Sequence, residues 1–200
     1  MDILKTNNEK NKLTVILSLI FLLSMATGSF CVNFVKSDNP MNANNLFNSF
    51  LNKRETGTFT SILLSTFLSD FMIFAVLFLF GICIIGVPAG FIILIIKGLG
   101  TGYTAGYLYT SFGFNGFLFD LLIIFPPALF TIFIYIMATK ESIEFSKTLL
   151  RIIIPDAKIY SLSSEFKIYL LRFTVLLLCL FITAAIDSTL TVLFFENVVI

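Results

Sequence analysis

Histidine is absent from this 200-residue chain, and only 12% of its residues are charged. Without imidazole there is no His general base, no His metal ligand and no HExxH protease helix. A serine-type protease within the membrane would lack its base for the same reason. Cysteine is scarce too: Cys31, Cys83 and Cys179 are odd in number, unclustered and each set in an apolar run, so they read as buried small hydrophobes. No Walker sequence or metal-ligand cluster occurs, and no cofactor, metal or nucleic-acid partner is expected.

Apolar mass is what the chain has instead. Its 58% hydrophobic residues, its 25 Phe and a mean hydropathy of +0.98 exceed what a soluble domain of this length could cover. The chain reads as an all-α integral membrane protein, one membrane domain over residues 1–200. The organising stretch is 80–107, FGICIIGVPAGFIILIIKGLGTGYTAGY. Proline cannot donate a backbone hydrogen bond and clashes with the preceding turn, so GVPAG is expected to end one helix and start the next. Gly98, Gly102 and Gly106 recur every fourth residue and stack on one helix face, where another helix can approach closely. Gly81, Gly86, Pro88, Gly98, Gly102 and Gly106 are therefore the candidate helix-packing or partner-interface positions. Gly100, Gly102 and Ala105 also spell G-x-G-x-x-A, but no strand-turn-helix context surrounds them and the dinucleotide fingerprint does not apply.

In chain order, a short polar segment with Lys5, Lys10 and Lys12 precedes a first span at 13–35, long enough to cross the hydrocarbon. A signal peptide with cleavage near Ala26-Thr27-Gly28 is the competing reading, opposed by the apolar residues that resume after Gly28. Residues 36–67 form a polar outer loop, in which Leu46, Phe47, Phe50 and Leu51 fall at the spacing of a short amphipathic helix. Further spans are expected at 68–87, 89–110, 117–139 and 168–193, with SFGFNG as the turn between the third and fourth. Residues 140–167 read as a cytoplasmic amphipathic segment ended by Pro155.

These five spans place Lys5, Lys10, Lys12, Lys140, Lys147, Arg151, Lys158, Lys167 and Arg172 on the starting side and Lys36, Lys53 and Arg54 opposite, nine against three. The positive-inside bias then puts the N-terminus in the cytoplasm and the C-terminus outside. Merging spans two and three would send the basic residues from 140 to 172 outward, against that bias. Lys97 remains inside the membrane. A central lysine costs about 3 kcal/mol, while the third span's eight Phe, Ile and Leu residues recover roughly 0.5 kcal/mol each. It is expected to lie against protein or to snorkel to the interface. Asp187 is the other intramembrane charge. By residue count its depth differs from that of Lys97 by about 15 Å, so no direct pair is expected. Asp70 and Asp120 are placed near outer span ends. Asp120 and Asp187 lack the glycine-flanked setting of an intramembrane aspartyl protease, and no enzyme activity is expected.

In order along the chain come Leu79-Phe80-Gly81-Ile82, Ile85-Gly86-Val87-Pro88, Lys97-Gly98, the run from Gly102 through Tyr103-Thr104-Ala105-Gly106-Tyr107 to Leu108, then Gly113-Phe114-Asn115-Gly116-Phe117, Pro126, Phe145-Ser146 and Asp187. This pattern resembles the stage II sporulation protein M family, densely over 71–150 and thinly elsewhere. The resemblance implies a non-catalytic scaffold in the cell membrane, at the septum of a spore-forming bacterium. There it would anchor stage II sporulation proteins P and D, which degrade peptidoglycan as the mother-cell membrane engulfs the forespore. Many relatives carry a His-Gly pair after the span-four proline and a glutamate soon after; here Pro127, Ala128 and Thr131 stand there, and proton or ion chemistry at those positions does not carry over. The alternative is a membrane subunit of an export or circular-bacteriocin maturation system working with an ATPase. Self-association of the chain is left open by the sequence.

Overall fold

The computed structural model describes residues 2–38, 54, 57–83, 85–153 and 162–194. They form α1 (Asp2–Asp38), α2 (Phe59–Ile82), α3 (Gly86–Phe119), a π-helical turn (Asp120–Ile124), α4 (Phe125–Ile153) and α5 (Leu162–Phe194). Four helical stretches are long and apolar enough to cross a membrane: Lys12–Val32, Phe59–Ile82, Gly86–Leu150 and Leu162–Leu193. The fold is that of a helical membrane protein. Large apolar side chains such as Leu23, Phe30, Met72, Ile96, Phe133 and Leu171 are exposed around its outside, a surface suited to lipid rather than water. Cys31, Cys83 and Cys179 are also on that outer surface and free, so the expectation that they are buried is corrected.

The break at GVPAG is present. Cys83 turns extended after α2, and α3 restarts with Ile85 as its N-cap, which places Pro88 in the first turn, where a missing N–H leaves no carbonyl unpaired. The freed end of α2 is satisfied by side chains from elsewhere. Ser146 donates to the Cys83 carbonyl at 2.9 Å, and Tyr169 donates to the Phe78 carbonyl at 2.9 Å. Gly81 leaves room for that tyrosine, since a Cβ there would strike the Tyr169 hydroxyl and lie 2.8 Å from Ser142 Oγ.

The chain doubles back at Gly113, whose φ of 59° and ψ of −131° are open to glycine alone. Beyond the bend Gly116 lies against the Leu108 carbonyl, and a small core of Val32, Tyr107, Leu108, Phe119 and Ile123 closes that end. The π turn has a local cause. Pro126 and Pro127 carry no N–H for the carbonyls of Leu122 and Ile123, and the Phe125 N–H reaches back five residues to the Asp120 carbonyl.

Helices successive in the chain alternate in direction. Gly98, Gly102 and Gly106 meet Ser24, Met25 and Ser29 in turn, so α1 runs parallel to α3. Ser142 and Ser146 of α4 donate to the carbonyls of Leu77 and Cys83, so α2 and α4 are parallel. The ring contacts Phe67–Phe181, Phe74–Phe173 and Phe78–Tyr169 run α5 antiparallel to α2. The main core joins Leu17 and Phe21 of α1, Phe74 and Leu77 of α2, Leu94 of α3, Tyr135 and Ile143 of α4, and Tyr169, Phe173 and Leu180 of α5.

Several expected boundaries move: α2 ends at Ile82 in place of 87 and α3 starts at Gly86 in place of 89. The second helix starts at Phe59, nine residues before the expected 68, because the hydroxyls of Thr60, Ser61, Ser65, Thr66 and Ser69 lower hydropathy without breaking a helix; Ser69, for one, bonds back to the Ser65 carbonyl at 2.8 Å. Residues 140–153 continue α4 and 162–167 open α5, in place of a separate amphipathic segment. The expected amphipathic helix at 46–51 and the stop at Pro155 lie outside the described residues.

Candidate functional site: a charged cavity among the helices

Each of two aspartates inside the apolar bundle is held by a cation. Asp70 lies about three turns, or roughly 16 Å, into α2. Its Oδ1 accepts from Lys97 Nζ of α3, and its backbone carbonyl accepts from the Tyr135 hydroxyl of α4 at 2.9 Å. The ammonium also sits 4.9 Å from the centre of the Tyr135 ring, which is fully buried. The two charged side chains are 19% and 13% exposed, so the pair is set in protein, with little access to solvent.

Asp187 of α5 is the second. Arg54 Nη2 donates to its two carboxylate oxygens at 3.0 and 2.9 Å, and Thr66 of α2 donates at 3.1 Å. Arg54 Nη1 meets Thr191 Oγ1 at 3.0 Å, and Thr191 in turn donates to the Asp187 carbonyl at 2.8 Å. These side chains are 9% and 6% exposed. Thr66 and Asp70 are four residues apart and share one face of α2, which brings the two ion pairs onto a common wall.

That wall bounds a cavity of about 190 Å³. Thr101 completes the α3 side, Ile124, Pro127, Ala128, Thr131 and Ile132 supply the π-turn and α4 side, and Thr183 and Ala184 the α5 side. The hydroxyls of Thr101, Thr131 and Thr183 donate to carbonyls of their own helices, at 2.9 Å for Gly98, 3.0 Å for Pro127 and 2.8 Å for Leu180. Their lone pairs remain as acceptors. Pro127, Ala128 and Thr131, which set this chain apart in the resemblance, all line the cavity.

The expected site residues thus fall into separate places. Lys97 and Asp187 line one cavity without touching, each with its own partner. Asp70 is no longer near a helix end, because α2 begins so much earlier. Gly98, Gly102 and Gly106 face α1: a Cβ at Gly98 would lie 2.7 Å from the Ser24 Cβ, one at Gly106 2.8 Å from the Ser29 carbonyl, and one at Gly102 would overlap the Met25 carbonyl. Gly28 of α1 answers with its own approach to Leu99. The glycine face is covered from within the molecule. The sequence alone does not single out Arg54, Thr66, Asp70 or Tyr135 as site residues; the i, i+4 pair Thr66 and Asp70, polar positions ahead of an apolar run, is the signal it carries. The more exposed Arg172–Glu141 pair, 2.6 Å, belongs to the other end of α4 and α5.

Comparison with curated proteins and with solved structures gives no match. The model of the family described as stage II sporulation protein M matches residues 17–192, which take in both ion pairs, the cavity and the glycine face. The chain belongs to the stage II sporulation protein M family and is a sporulation-related membrane protein.

Proposed function

We propose that the protein is a non-enzymatic scaffold of the engulfment membrane, holding the peptidoglycan-degrading stage II sporulation proteins P and D at the septum. Family membership over 17–192 carries this reading. Its setting is five membrane crossings with the N-terminus in the cytoplasm and the C-terminus outside. Two observations support that topology: the alternating direction of helices successive in the chain, and the nine-to-three placement of basic residues. The stretch between α1 and α2 then faces the wall, where such partners work. Because α1 already occupies the glycine face, this outer stretch is the better docking candidate.

Affinity purification of the full chain from solubilised membranes of sporulating cells is the test. Recovery of P or D with it supports the scaffold, and recovery of neither from cells that express both rejects it. The charged cavity favours a second reading, a membrane subunit of an export or maturation system. In that case an ATPase co-purifies instead, and Lys97→Ala stops transport while leaving the protein in the membrane.

A further inference from the structure

The charged cavity has a recognition chemistry of its own. Lys97 carries three N–H donors and places one of them on Asp70 Oδ1, with no other hydrogen bond from the ammonium among the described residues. Asp70 Oδ2 is likewise without a protein donor there. One wall therefore presents donors and an acceptor side by side. Hydroxyl oxygens of Thr101, Thr131 and Thr183 lie around it, and Ile124, Ala128 and Ala184 give the remaining lining an aliphatic character.

Charge balance narrows the occupant. Among the described lining residues Lys97 and Arg54 balance Asp70 and Asp187, so an ion of either sign would add an uncompensated charge to that lining. An apolar molecule would leave the Lys97 donors and Asp70 Oδ2 unpaired. A zwitterion meets both demands, its anionic group on Lys97 and its ammonium on Asp70. Size narrows it further, since about 190 Å³ is below the roughly 300 Å³ at which pockets for drug-sized ligands begin.

We propose that this cavity binds a small aliphatic amino acid, with its carboxylate at Lys97, its ammonium at Asp70 and its side chain against Ile124 and Ala128. The site needs no partner protein, so its test is independent of hydrolase co-purification. The probes are radiolabelled alanine and valine, with the purified full chain in lipid nanodiscs. Saturable binding at one per chain is expected, competed by unlabelled alanine and unaffected by propionate or ethylamine. Lys97→Met and Asp70→Asn should weaken binding by about tenfold or more. Ala128→Leu keeps both ion pairs and fills the cavity, so it should abolish binding while thermal unfolding stays cooperative. No saturable binding to the wild-type chain at millimolar alanine or valine, the cavity then holding water only, would overturn the assignment. Binding that survives Ala128→Leu undiminished would overturn it equally.

Discussion

At the scale of single residues, the two aspartates use different cations for a physical reason. Arg54 reaches Asp187 with a planar fork that spans both carboxylate oxygens and still engages Thr191. Lys97 offers a point charge, and its spare donors remain on the cavity side. Removing one member of a buried pair leaves the other charged and unpartnered, which is more damaging than losing the pair. Arg54→Ala is therefore expected to destabilise the protein by about 3–5 kcal/mol in a denaturant titration in detergent, with Arg54→Lys recovering only part of that. The double change Arg54→Met with Asp187→Leu should lie much nearer wild type. If the single and double variants lose the same stability, the contact is not coupled. At Asp70 and Lys97, exchanging the two residues should restore the folded yield that Lys97→Asp alone destroys, read as monodisperse protein by size exclusion.

How much of this was legible in the sequence differs residue by residue. That Lys97 lies within an apolar helix follows from the apolar residues on both sides of it. Its partner does not, because Ser65, Thr66 and Ser69 depress local hydropathy and push the apparent start of α2 past the point that would show Asp70 to be deep. Arg54 is harder still. It follows a polar, asparagine-rich stretch, and only the folded arrangement shows its guanidinium on Asp187. The cysteines show the converse, since an apolar neighbourhood in the sequence does not tell the lipid-facing side of a helix from the protein-facing one.

At the scale of the helix, the glycines at 98, 102 and 106 were legible as a packing face because period four is a property of the sequence. That α1 fills the face was not, since Ser24 and Gly28 are weak signals until they are seen opposite it. With α1 this close, even one methyl group at Gly102 overlaps the Met25 carbonyl, and both helices must separate. Gly102→Val should therefore loosen α1 from the bundle. Ser24, 7% exposed, serves as reporter: in a background without the native cysteines, Ser24→Cys should resist a thiol reagent in the parent and react in the Gly102→Val variant. Gly113 imposes a different demand. Its backbone conformation excludes side chains while its surroundings are open, so Gly113→Ala should lower stability by about 1–3 kcal/mol through strain alone, seen as a lower midpoint with an unchanged helical signal.

At the scale of the molecule, the number of crossings turns on that bend. The apolar stretch Gly86–Leu150 has 65 residues and would measure about 98 Å as a straight helix, against a hydrocarbon thickness of about 30 Å. It cannot be one crossing. Folded at Gly113 it becomes two arms packed side by side, with Lys97 opposite Tyr135 and Gly86 opposite Ser146. In the proposed topology the total is then five, with the two ends of the chain on opposite sides. Three exposed positions read this directly: Thr58 before α2, Asn115 at the bend and Lys147 near the end of α4. With the native cysteines replaced, Thr58→Cys and Asn115→Cys should react with a membrane-impermeant maleimide on intact cells, and Lys147→Cys only after permeabilisation. Labelling of Lys147→Cys from outside, with the other two protected, would turn the protein over. The stretch holding Arg54 would then face the cytoplasm, out of reach of enzymes that cut the wall, and the scaffold reading would lose the surface on which it depends.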